Sequence, residues 1–204
     1  MQLGNWSFTV CVSDVDETRQ ADESAADYVM RLAEVKAQAA TVQAGVHEWI
    51  VAADTAVVDG EAVLGKPTDA AQATEMLRRL RGHAHQVYTG LAVLSRLDGQ
   101  LLTDVCVTDV PMRRYTDVEI QHYVQSGDPF DKAGAYAIQH SGFQPVQEFR
   151  GCYASVMGLP LCHLLRLLAR MNLAAQADLP AKCQSHLNYA CPVSSAILRG
   201  ERVG

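Results

Sequence analysis

An α/β fold, a mixed twisted sheet flanked by helices, is predicted by three features of this 204-residue sequence. Apolar runs rich in β-branched residues alternate with segments whose apolar residues recur at helical spacing. Two turn signals, Asp59-Gly60 and Asp98-Gly99, each join strand candidates into a hairpin. An apolar fraction of 49 % with 20 % charged residues is enough for one packed core. The division expected is one domain over residues 1–172 and a poorly ordered tail over 173–204, where periodicity fades.

In chain order, Phe8–Val12 reads as a short strand ending in the acidic stretch "SDVDET". Ser24 can cap a helix running to about Ala40, whose stripe is Val29, Leu32, Ala33 and Lys36. A lysine continuing an apolar stripe either packs its stem and turns its amine outward or serves a site; both readings stand for Lys36. "WIVAADTAVV" (49–58) has the character of a strand buried on both faces, with Asp54 in its middle. A carboxylate there needs a partner, a metal or a proton, since its desolvation is costly. After the Asp59-Gly60 turn comes "EAVLGKP", then a helix capped by Thr68 and running to about Arg81, stopped by Gly82. "HQVYTGLAVLSR" (85–96) and "QLLTDVCVTDVPM" (100–112) form the second hairpin. "TDVE" (116–119) is a capping box opening a helix that ends near Gly127. "FQPVQEFRG" (143–151) reads as a strand, and "GLPLCHLLRLLARM" (158–171) as a leucine-rich helix with Pro160 near its first turn.

A net charge of −6 argues against a nucleic-acid binder held by a basic surface. A small polyanion stays possible, because a divalent metal reverses the local sign. No uncharged apolar run approaches the length of a membrane span. "MQLGNWSFTV" lacks the plan of a signal peptide, so cytoplasmic residence is expected. The six cysteines show no paired spacing and read as reduced thiols. Cys183, His186 and Cys191 come nearest to a metal cluster, but zinc is disfavoured because a fourth ligand is missing.

Lysine is scarce: 13 of the 17 basic residues are arginines, leaving Lys36, Lys66, Lys132 and Lys182. Lys66 stands between a glycine and a proline. Lys132 follows Asp131 in "GDPFDKAGAYAIQH" (127–140), ahead of residues small enough for close backbone approach. Carboxylates in Asp54, Asp131 and the Asp14, Asp16, Glu17 cluster suit a hard cation such as Mg²⁺ shared with substrate phosphates. Lysines supply compact charge for those phosphates, and an acid near the metal can take a proton from water. The set fits hydrolysis of a phosphoanhydride.

The order of the segments is more specific than any one of them. "AADTAVVDGEAVLGKPTDAAQATEMLRRLRGHAHQVYTGLAV", then "YVQSGDPFDKAGAYAIQHSG", then "GCYASVMGLPL" closely resemble the Maf family of nucleoside triphosphate pyrophosphatases. The likeness runs from about Gln2 to Leu168, and the Ala-Asp-Thr and Ile-Gln wording is similar to the dTTP/UTP branch rather than the 7-methyl-GTP branch. It implies a homodimer of an elongated fold, related to the inosine-triphosphate pyrophosphatases, with a central cleft for the nucleotide. It also implies release of pyrophosphate from dTTP or UTP with a divalent metal, Mg²⁺ or Mn²⁺, in the housecleaning of nucleotide pools. By position, Asp54 would be the catalytic carboxylate that accepts a proton from water. Thr55 and Gln139 match positions that govern base choice; an amide can donate to a carbonyl oxygen and accept from the ring N–H of uracil or thymine. Lys36, Lys66 and Lys132 match phosphate-side lysines, and Glu17 and Asp131 match acids near the metal. His85 falls in a Gly-x-x-His segment, where a structural role is favoured over catalysis.

Two departures from the pattern follow from the same resemblance. Family members open with a strand and a Ser-x-Ser-Pro-Arg-Arg loop, whereas "MQLG" aligns with the last turn of the helix beyond them. That leaves a second reading open, a nucleotide-binding or septum-regulating protein without turnover. The other departure is Ile-Gln-His where Ile-Gln-Gly is usual, so that His140 would add bulk or charge near the base.

Overall fold

The computed structural model describes residues 4–45, 48–175, 177–201 and 203–204; most of "MQLG" therefore lies outside the described residues. Helix α1 (Ala25–Ala40) begins where expected, with the Ser24 hydroxyl accepting from the Asp27 amide at 3.1 Å. Strand β1 (Trp49–Asp59) turns at Gly60 into the short β2 (Ala62–Leu64). Helix α2 (Ala70–Leu80) follows, then the long hairpin of β3 (Ala84–Ser95) and β4 (Leu101–Pro111). Helix α3 (Asp117–Gln125) opens on the Thr116/Glu119 capping box. Beyond two 3₁₀ turns lie α4 (Tyr153–Val156), α5 (Leu161–Arg170), α6 (Leu179–Leu187) and α7 (Ser194–Leu198).

The sheet order is β2-β1-β3-β4, with Asp54 opposite Gly90 and Thr55 opposite Thr89. Side chains alternate across it. Even-numbered Ile50, Ala52, Ala92 and Leu94 meet the small residues Ala33 and Ala37 of α1. Odd-numbered Leu91 and Val93 meet the leucines of α5 on the other face. Further along, Val57 and Val87 join a core with α2 and α3 built on Leu77, Leu80 and Ile120. Gly90 permits the close approach of α1, since a Cβ there would stand 2.4 Å from the Val29 carbonyl oxygen.

Several local expectations are corrected. The α/β class stands, but every strand pairing among the described residues is antiparallel rather than mixed: β1–β2 and β3–β4 are hairpins, and β3 returns antiparallel beside β1. Phe8–Val12 is irregular rather than a strand. The stretch 143–151 keeps a single bridge, Val146 to Met112, since Gln144 and Glu148 take positive φ and Pro145 has no amide to donate. The cap of α2 is Asp69, whose carboxylate accepts from the Gln72 amide, not Thr68. β1 is only half-buried along Val51–Thr55, because β2 covers its outer edge at Val57–Asp59 alone. The stretch read as a loose tail contains α6 and α7, with Leu179 and Ile197 fully buried. Arg166 ties this stretch to the sheet, binding Asp104 at 2.9 Å and the carbonyls of Ile197 and Glu201. No helix among the described residues is long and apolar enough to cross a membrane.

Candidate active site

Where β2 stops, the outer edge of β1 is left open among the described residues. A cleft of about 390 Å³ wraps that edge and reaches both faces of the sheet. Asp54 lines it from the α1 face, and Thr55, one residue on, from the opposite face. Lys36 enters from α1 and Glu17 from the segment before it. Lys66 follows β2, while Asp131, Lys132 and Gln139 come from the loop after α3. The eight residues that the resemblance matches to catalytic, base-reading, phosphate-side or metal-side positions thus border one cavity, whereas Asp14 and Asp16 do not line it.

Lys36 is the hub of the α1 side. Its Nζ lies 2.5 Å from Asp54 Oδ1 and 2.6 Å from Glu17 Oε1. Its stem continues the apolar stripe, and its amine turns to these two carboxylates in the cleft rather than outward. Glu17 reaches it although its segment is not a strand, because the Tyr28 hydroxyl on α1 donates to the Glu17 carbonyl at 2.8 Å. Burial pushes the Asp54 carboxyl above the usual carboxylate range, and Lys36 only partly offsets this. Burial disfavours the Lys36 ammonium too, but its two carboxylates outweigh that and hold its pKa up. Glu17, more exposed, is held below its ordinary value by its hydrogen bond to Lys36. The proton of this trio therefore resides on the lysine, and Asp54 is the carboxylate readiest to accept another.

The opposite wall is held by backbone. The Gly134 amide donates to the Gly65 carbonyl at 3.0 Å, fastening the Lys132 loop to the Lys66 loop. Gly134 needs its φ of +70°, and a Cβ would come within 2.9 Å of Val57. Lys132 Nζ sits 2.6 Å from Asp131 Oδ1, 3.2 Å from Asp128 Oδ1 and 2.7 Å from the Asp128 carbonyl. Burial lowers its pKa, and the two aspartates more than restore it. Asp128 in turn accepts from the Tyr123 hydroxyl at 2.6 Å, which itself accepts from the Ala137 amide. Lys66 makes no ion pair among the described residues, yet its charge is felt at Glu17, Asp54 and Asp131. It is the cation of the cleft not already committed to a carboxylate.

Thr55 Oγ1 lies 2.9 Å from Thr89 Oγ1, and Thr89 donates to the Ser155 carbonyl at 2.9 Å. Gln139 is exposed at the mouth. His140 does not border the cleft: its Nδ1 accepts from the Phe143 amide at 2.9 Å and its ring stands edge-on to Tyr123. The added bulk expected near the base is therefore turned away.

The lining carries three carboxylates, Glu17, Asp54 and Asp131, against three lysines, so it does not by itself neutralise a polyphosphate. Among the described residues no three His, Cys, Asp or Glu side chains form a metal cage. Glu17 and Asp54, sharing one ammonium, nevertheless present hard oxygens side by side, which suits an ion bound through one or two carboxylates plus substrate phosphates.

A family model described as "Maf-like protein" matches residues 1–171. The chain belongs to the Maf family. A dTTP/UTP pyrophosphatase of Shigella sonnei (strain Ss046) is 45 % identical over 172 residues, 84 % of this chain and 85 % of the relative. Relatives of the same name from Geobacter sulfurreducens and Geotalea uraniireducens (strain Rf4) are 44 % and 42 % identical over 165 residues, 81 % of this chain and 86 % and 84 % of theirs. In this Maf chain the sequence reading missed Tyr28 and Gly158, which line the cleft, and Thr89, which lies behind it. Only the β1–β3 register, which pairs Thr89 with Thr55, could have exposed the last of these.

His85 of the Maf chain is nearly inaccessible and stays outside the cleft lining, its Nε2 2.9 Å from the Tyr136 hydroxyl. Burial holds its pKa at about 4, below the ordinary 6.5. The unfolded chain therefore binds a proton between those two values that the folded chain refuses. Stability is complete above pH 6.5 and is lost as pH falls toward 4, by up to about 3 kcal/mol from this group. Urea unfolding of His85→Gln across that range should show a flatter acid limb than the parent. Identical slopes would remove this role from His85.

Proposed function

We propose that the chain hydrolyses dTTP and UTP to the nucleoside monophosphate and pyrophosphate, with water attacking the α-phosphorus. The observation that carries this reading is the convergence of Asp54, the three lysines and Thr55 on one cleft in a chain 42–45 % identical to relatives named for that activity. A divalent metal, Mg²⁺ by the hardness of its donors, would be held by Glu17 and Asp54 with Asp131 nearby, and supplies positive charge against the triphosphate. Lys66 and Lys132 face the phosphate chain, and Lys66 can bind without first breaking an ion pair. Lys36 orients Asp54 and keeps it ionised until it takes the proton of the attacking water. The proton leaves on Asp54, the P–O bond to the pyrophosphate oxygen breaks, and the new P–O bond completes the monophosphate. Thr55 and Gln139 border the same cleft and serve as readers of the base. We further infer a homodimer residing in the cytoplasm, on the family resemblance.

Incubation with Mg²⁺ and dTTP, UTP, dATP or 7-methyl-GTP, with pyrophosphate quantified, tests the reading. Release from dTTP and UTP at least about tenfold above the purines is expected. Equal turnover of all four, or a purine preference, rejects the assignment of substrate. Nucleotide binding without pyrophosphate release would instead establish a non-catalytic nucleotide-binding protein.

A further inference from the structure

Thr89 is completely buried on β3 and does not border the cleft. Its hydroxyl carries one proton. The Ser155 carbonyl, 2.9 Å away, can only accept, so that proton is committed to Ser155. The contact between Thr89 Oγ1 and Thr55 Oγ1, also 2.9 Å, then has one possible donor, Thr55. With its proton spent inward, Thr55 retains only acceptor capacity for anything in the cleft. Gly158, which also lines the cleft, lies beside it: an added Cβ there would stand 3.5 Å from Thr55 Oγ1, at ordinary contact distance.

We propose that Thr89 is a positioning residue that sets the polarity of base recognition, by compelling Thr55 to present an acceptor and nothing else. This rests on the reading of the cleft as a pyrimidine nucleotide site. Uracil and thymine carry a ring N–H at the position where cytosine carries a bare ring nitrogen. An acceptor-only hydroxyl welcomes the first and sets lone pair against lone pair with the second, a mismatch that leaves buried polar groups unpaired. The discrimination thus originates one layer behind the surface that touches the base. It requires three elements in register: β1, β3 and the turn at α4.

The test is the ratio of kcat/KM for UTP over CTP in the parent and in Thr89→Val, Thr89→Ser and Thr55→Val. Thr89→Val removes the inward acceptor, so the Thr55 proton is free to turn toward cytosine. The ratio should fall by about tenfold or more, while Thr89→Ser, which keeps the hydroxyl, should hold it within about twofold. A loss confined to packing of the α4 turn would lower UTP and CTP turnover by one common factor, and that result overturns the proposal. Should Thr89→Val not fold, Thr89→Ala decides by the same ratio: a lowered one supports the relay, an unchanged one refutes it. A parent enzyme without preference for UTP over CTP overturns the substrate reading and the relay with it. A parent preference that survives in both valine variants overturns the relay alone.

Discussion

Asp54→Asn should lose about 10²–10⁴-fold in kcat for pyrophosphate release while leaving the fold in place. Asparagine fills the same volume on β1 and can accept from Lys36 Nζ through its carbonyl oxygen, so the strand and its register with Gly90 are retained. What it cannot do is take a proton from water. Lys36 keeps Glu17 as its counterion, which limits the loss of stability to the weakening of one half-buried ion pair. Steady-state kinetics on dTTP with circular dichroism of the same sample separates the two effects. A fully active variant would remove Asp54 from the mechanism, and an unfolded one would make its role structural.

Gly90→Ala should be strongly destabilising. A Cβ at Gly90 would lie 2.4 Å from the carbonyl oxygen of Val29, 2.5 Å from its carbon and 2.7 Å from the Met30 nitrogen. These are helix backbone atoms and cannot rotate aside as a side chain would. α1 must lift from the sheet, exposing the contacts of Ala33 and Ala37 with Ala92 and withdrawing Lys36 from Asp54. Overpacking ordinarily costs about 1–3 kcal/mol, and a clash with rigid backbone belongs at or above the upper end, a large share of a total near 5–15 kcal/mol. Gly60→Ala is the comparison: its φ of +62° makes alanine strained, but nothing lies within 4 Å, so a cost of about 1 kcal/mol is expected. Thermal or urea unfolding of the pair measures this. Equal midpoints for the two variants would show that α1 does not depend on the close approach at Gly90.

Both variants act through the same short distance, from α1 to the middle of β1. Lys36 was visible in the sequence as an anomaly, a charge in an apolar stripe, but whether it snorkelled outward or served a site depended on what faced it. The fold supplies Asp54 there because Gly90 and two alanines let the helix lie close. Local rules were sufficient where the determining interactions were local: the Ser24 cap, the Thr116/Glu119 box and both hairpins occur where those residues dictate. They failed where apolar content alone suggested a strand. Phe8–Val12 has the composition but no neighbour to pair with among the described residues, and 143–151 is broken by Pro145 and two positive φ values. The stretch after residue 172 looked featureless because its helices are short and are held by tertiary contacts, such as that of Arg166 with the Ile197 carbonyl 31 residues on.

By itself the sequence determined the α/β class, most of the element boundaries and the identity of the charged residues, because caps, turns and hydrophobic periodicity act over a few residues. Tertiary structure alone decided that Asp54 and Thr55, adjacent in the chain and on opposite faces of one strand, would look into the same cleft. The reason is the shortness of β2: among the described residues it leaves most of the outer edge of β1 open, and around that edge groups from both faces can reach one ligand. The partner of Thr55 and the donor direction of its hydroxyl likewise follow only from strand register, a property of two segments 34 residues apart.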